Sequence, residues 1–142
     1  MLIYNDYKHE SNTGDLLTKS DKVYNMIKGM KDRGDDCPID AVGFQSHFQV
    51  GENTSEFING VRANIQRYNS IGVKVQMSEV TIKCTQGATV NDCSDGWTWS
   101  DDNIQSQAHF YGELMNICIQ ESNCNAFISW GFTDKYCFLS ED

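Results

Sequence analysis

Glu79 closes a short run, Val73-Lys74-Val75-Gln76-Met77-Ser78-Glu79, in which Val, Val and Met alternate with Lys, Gln and Ser. That alternation is the period of a strand. A carboxylate at the C-terminal end of a strand in an α/β protein faces the edge where such folds place their chemistry. Three further strand-like runs end on polar or aromatic residues. Leu2-Ile3-Tyr4 leads into Asn5-Asp6-Tyr7. Ile39-Asp40-Ala41-Val42-Gly43-Phe44 leads into Gln45-Ser46-His47, and Ala126-Phe127-Ile128-Ser129 into Trp130-Gly131. One carboxylate, one imidazole, two amides and flat aromatic rings delivered to a common edge suit the cleavage of a sugar chain. The carboxylate attacks or stabilises, the imidazole orients it, the amides donate to hydroxyls or to the carboxylate, and the rings stack on sugars.

The elements that must position these residues read as β-α-β-α-β-α-β, the pattern of a parallel sheet. The first helix is expected over 20–33, with Val23, Ile27 and Met30 inward, Thr18 and Asp21 as a capping box, and Gly34 just past its end. The second is expected over 55–71, burying Phe57, Ile58, Val61, Ile65 and Tyr68 and ending at Gly72. The third is expected over 102–119, with Ile104, Ala108, Tyr111, Met115 and Cys118 inward. The connections after the strands, over 8–18, 48–54 and 83–101, are longer and more polar than those before them. Trp97 and Trp99 lie on the last, either as substrate contacts or a lid, or folded over the loop's own core. His9 and His109 read as solvent-facing, and His109 carries no assigned role.

Four phrases resemble the second half of family-ten glycoside hydrolases, the retaining endo-xylanases. They are Tyr4-Asn5-Asp6-Tyr7, Pro38-Ile39-Asp40-Ala41-Val42-Gly43-Phe44-Gln45-Ser46-His47, Val75-Gln76-Met77-Ser78-Glu79 and Ser129-Trp130-Gly131-Phe132-Thr133-Asp134-Lys135-Tyr136. The resemblance implies a TIM (β/α)8 barrel of which strands five to eight are present, so that residues 1–142 form the C-terminal part of one catalytic domain. It implies endo-1,4-β-xylanase activity with Glu79 as nucleophile and His47 beside it. Asn5, Tyr7, Gln45, Trp130 and Phe138 would contact xylan. No cofactor or metal is implied. The chain departs from the family pattern at Lys8, where an asparagine is usual, at Thr81, usually an aspartate supporting the histidine, and at Phe138, usually a tryptophan.

A complete barrel takes roughly 200 residues at least, and this chain has 142. No phrase matches the strand end that carries the family's acid/base carboxylate. The missing N-terminal half-barrel is therefore expected to supply it. The alternative is a non-catalytic fragment or pseudoenzyme that binds polysaccharide weakly.

The net charge of −9 disfavours nucleic acid, whose phosphates require Lys and Arg, and suits a neutral polysaccharide. No apolar stretch is long enough to span a membrane. Six cysteines point to an oxidising compartment and secretion, although no signal peptide is visible. Their spacings are not those of a zinc site. Cys118 and Cys124 stand where a short helix-to-strand loop could be stapled, and fungal members of the resembled family carry a disulfide there. Cys84 and Cys93 bracket a polar loop and could pair locally. Cys37 and Cys137 are expected unpaired, or paired elsewhere. Asn53-Thr54-Ser55 is a glycosylation sequon on one of the long loops.

Overall fold

A computed structural model describes residues 1–83 and 100–131. The elements are β1 (Ile3–Asp6), α1 (Leu17–Asp32), β2 (Ala41–Phe44), β3 (His47–Gln49), α2 (Ser55–Asn69), β4 (Lys74–Lys83), α3 (Asp101–Gln120) and β5 (Cys124–Ser129). Every strand pairing is parallel. β1 pairs with β2, and β2 and β3 lie in succession along one flank of β4, with β5 on the other flank. The described sheet is thus four strands wide, in chain order, with β1 and β5 at its edges.

The helices form close to where the apolar spacing predicts. The Thr54 side chain accepts from the Phe57 N–H at 3.2 Å and starts α2. Ser100 accepts from Asn103 N–H and starts α3. Gly34 and Gly72 both take positive φ, +63° and +68°, the left-handed conformation that ends a helix at low steric cost. The helix α1 differs from expectation at its start. A 3₁₀ turn over Gly14–Leu16 feeds directly into it, and its N-cap, Leu16, makes no side-chain cap bond. Thr18 and Asp21 are therefore inside the helix and form no capping box.

The core lies between the sheet and the helices. Val23 and Ile27 from α1, Val61, Ile65 and Tyr68 from α2, and Val42, Phe44, Val75 and Met77 from the strands are all buried. On α3 Cys118 is buried and Tyr111 packs against the core as expected, but the rest of the inward face is rotated by about one residue. Phe110, Leu114 and Ile117 are buried, whereas Ile104, Met115 and Ile119 are exposed and Ala108 is exposed too. The helix carries two adjacent apolar stripes, and periodicity alone cannot choose between them. Phe110 decides the matter by stacking on Phe48, 5.4 Å between centroids, and meeting Phe57 edge-on at 6.0 Å.

Cys118 and Cys124 are disulfide-bonded, Cα to Cα 5.0 Å, and close the turn from α3 to β5. Cys37 is unpaired. Cys84, Cys93 and Cys137 lie outside the described residues, as do Trp97, Trp99 and Phe138. No described helix is long and apolar enough to cross a membrane.

His9 is not solvent-facing; it is fully buried. Its ring meets Phe44 edge-on at 5.1 Å, and Nε2 bonds to the Asp6 carbonyl at 3.1 Å. A polar residue in a long loop reads as exposed, but α2 folds the loop inward. Asn64 donates to the His9 and Glu10 carbonyls at 2.7 and 2.9 Å. Burial holds the His9 imidazole down, to about 4. An unfolded histidine titrates near ~6.5, so between these values only the unfolded chain takes up the proton. The stabilisation is complete above the unfolded value and declines as pH falls toward the folded one, by about 3 kcal/mol in all. The stability difference between the native protein and His9→Asn in urea unfolding should therefore shrink by about that amount from pH 7 to pH 4. A pH-independent difference contradicts this.

Candidate active site

Glu79 does not end its strand. It is the sixth of ten residues in β4. Strict alternation would put its side chain on the same face as Val75 and Met77, against the helices. The register prevents this. Phe44 pairs with Met77 and His47 with Thr81, so two β2–β3 residues oppose three of β4. On the other flank Phe127 pairs with Met77 and Ser129 with Val80, so one residue opposes two. β4 thus holds one extra residue at Ser78–Glu79 relative to both neighbours. Such a bulge re-aims the side chains that follow it, and Glu79 points to the open face with Ser78.

Its carboxylate is held at both oxygens. Asn5 Nδ2 donates to Oε1 at 2.9 Å, and His47 Nε2 lies 3.3 Å from Oε2. Ser78 Oγ donates to Asn5 Oδ1 at 2.6 Å, which fixes the amide so that its NH2 faces Glu79. Thr81 Oγ donates to the Glu79 carbonyl at 3.1 Å and lies 3.3 Å from His47 Nδ1. With Glu79 ionised, the His47 contact is an Nε2–H donating to Oε2. Thr81 touches the imidazole but adds no charge to the site.

A cleft of about 500 Å³ opens beside these groups. Lys8, His47, Phe48, Gln49, Glu79, Thr81, Lys83 and Trp130 line it. Glu79 is the only carboxylate among these lining residues. Trp130 is half-exposed and meets His47 edge-on at 6.4 Å, leaving ring surface toward the cleft. The sheet edge therefore brings together Glu79, His47, Asn5 and Trp130. Gln45 and Tyr7 share the edge without lining the cleft. The Gln45 backbone N–H bonds to the Asp6 carbonyl at 3.0 Å. Tyr7 is 52% exposed, with Lys19 Nζ 4.1 Å from its ring centroid. Burial works against the Asp6 charge, but Lys19 at 2.9 Å, the Tyr7 N–H and the Tyr4 hydroxyl outweigh it and hold the carboxyl below its usual range.

Two contributors escaped the sequence reading. Ser78 looked like a mere polar alternate. Gly43 stands in the second strand run with no role assigned, yet a Cβ there would stand 2.3 Å from Asn5 Oδ1. Glycine lets the Asn5 side chain lie across β2 to reach Glu79. Gly43→Ala should displace Asn5 and cost about 10²-fold in kcat in the complete catalytic domain, the scale of a one-ångström misplacement. Activity equal to the parent would remove Asn5 from the site.

TIM-barrel enzymes carry their active sites at the C-terminal edge of a parallel βα sheet, the edge where Glu79 and the cleft lie. The chain belongs to glycosyl hydrolase family 10, whose description matches residues 1–142. It is 33% identical over 140 residues to endo-1,4-β-xylanase B of Thermotoga neapolitana, covering 98% of this chain and 35% of that protein. The crystal structure of xylanase 10B from Thermotoga maritima superposes with a TM-score of 0.77 at 29% identity, covering 97% of this chain and 37% of the other. Xylanase 10B from Thermotoga petrophila, solved with xylobiose, gives 0.76 at 31% identity, covering 97% and 36%. The described fold is that of part of the family's barrel, and the chain spans about a third of the length of these relatives.

Proposed function

We propose that this chain is the C-terminal part of a catalytic domain that hydrolyses β-1,4-xylosidic bonds in xylan with retention of configuration. The observation that carries the proposal is the Glu79 carboxylate, held between Asn5 and His47 at an open cleft beside Trp130. In this reading one Glu79 oxygen attacks the anomeric carbon and forms a glycosyl ester as the bond to the leaving oxygen breaks. The leaving oxygen takes a proton from an acid/base carboxylate supplied outside these 142 residues, and that group then activates the water that hydrolyses the ester. Asn5 and His47 hold the attacking oxygens in place. Trp130 stacks on a sugar ring, with Tyr7, Gln45 and Phe138 as further xylan contacts. The Cys118–Cys124 disulfide supports a secreted enzyme.

Among the described cleft-lining residues Glu79 is the lone carboxylate, which favours a second reading, a fragment that binds polysaccharide without cleaving it. The two are separated by following hydrolysis of xylo-oligosaccharides by the complete domain with proton NMR. The proposal expects the β-anomer to appear first and mutarotate later. Initial α-anomer, or no product, contradicts it.

A further inference from the structure

The loop between β1 and α1 carries a buried carboxyl that the chemistry above does not use. Glu10 is 2% exposed, and its Oε1 accepts from the Ser46 N–H at 3.0 Å. Ser46 is the joint between β2 and β3, flanked by Gln45 and His47. It takes φ +65°, a left-handed conformation that L side chains rarely adopt. Three segments converge on it. Glu10 holds its N–H, its Oγ donates to the Phe44 carbonyl at 3.0 Å, and its carbonyl accepts from the Thr81 N–H at 3.0 Å. The last bond lies just past the bulge that re-aims Glu79.

Glu10 is itself fixed from behind. Asn64 of α2 donates to the Glu10 carbonyl at 2.9 Å, and Arg67 Nε donates to Asn64 Oδ1 at 2.6 Å. Arg67 in turn pairs with Asp21 of α1 at 2.6 Å. Burial pushes the Glu10 carboxyl up, opposed by the backbone N–H groups of Ser46, Glu10, Lys8 and His9. An acceptor rather than a charge is what Ser46 requires.

We propose that Glu10 is a positioning residue: by accepting the Ser46 N–H it holds the left-handed turn that sets His47 against Glu79. The inference rests on Glu79 being the reacting carboxylate. Strain borne by a serine at positive φ persists only where its surroundings impose it, and Glu10 is the side chain that does so at the N–H.

The test is made in the complete catalytic domain, on xylo-oligosaccharides. Glu10→Ala should lower kcat by about 10–10²-fold with KM changed by less than about threefold, because reacting geometry rather than substrate binding is lost. Glu10→Gln keeps the acceptor and should retain most of kcat. Adding Ser46→Gly to Glu10→Ala should recover at least about fivefold, since glycine takes positive φ without the anchor. A role in stability alone predicts no such recovery. An unchanged kcat in Glu10→Ala, or a double variant no better than Glu10→Ala, overturns the proposal. The native Ser46 amide gives a readout that needs no variant. It should be protected from hydrogen exchange, and rapid exchange overturns the proposal even if Glu10→Ala fails to fold. An inactive parent enzyme refutes the functional reading instead, whereas an active parent with an unaffected Glu10→Ala refutes this inference alone.

Discussion

Glu79→Gln is expected to lower kcat on xylan by about 10⁴-fold or more in the complete catalytic domain, the scale seen when a nucleophile is removed while its supporting groups remain. The amide has nearly the same shape, so the bulge at Ser78–Glu79 and the pairing of β4 to its neighbours are retained. What is lost is the charge and the attacking oxygen. The Asn5 Nδ2 bond at 2.9 Å can persist to the Gln carbonyl, but the NH2 then faces His47 Nε2 in place of the carboxylate oxygen 3.3 Å away. The proposed sugar contact at Trp130 is untouched, so KM should move far less than kcat. A variant with kcat within about tenfold of the parent contradicts the nucleophile assignment.

The isolated 142-residue chain is expected to turn over xylan at least ~10²–10⁴-fold more slowly than a complete xylanase, the contribution of a positioned general acid. Among the described residues that line the cleft, none but Glu79 has a carboxyl to donate that proton. A second effect compounds the loss. β1 and β5 are the edges of the described sheet, and Leu2 and Ile128 are about half exposed beside them. Ile104, Met115 and Ile119 add exposed apolar surface on α3. Unpaired parallel edges with apolar surface promote self-association. Light scattering should show oligomers at micromolar concentration. A monodisperse monomer with full, Glu79-dependent turnover contradicts this expectation.

Much of this arrangement was legible in the residues. Turn glycines Gly34 and Gly72 and the apolar stripes of α1 and α2 are local signals that survive into the fold, whereas the Thr18–Asp21 capping box does not form. The four phrases that end the strands located the Glu79 edge because each couples a strand to a polar terminus. Three things were not legible. The inward face of α3 depends on Phe48 and Phe57, which lie far away in sequence. The burial of His9 depends on Asn64, 55 residues downstream. The direction of Glu79 depends on one extra residue in β4 relative to both flanking strands, and a register shift is a relation between strands that no single segment displays. By simple alternation Glu79 belongs to the helix-facing side; the bulge turns it to the cleft.

The most direct test of the account is covalent trapping. The complete enzyme is incubated with a mechanism-based 2-fluoro-xylobioside, digested with trypsin and analysed by mass spectrometry. Cleavage after Lys74 and Lys83 releases residues 75–83, in which Glu79 is the sole carboxylate. The account predicts the added fluoro-xylobiosyl mass on that peptide, with fragmentation placing it at Glu79. Label on any other peptide, with the 75–83 peptide unmodified in an enzyme that has been fully inactivated, would contradict it.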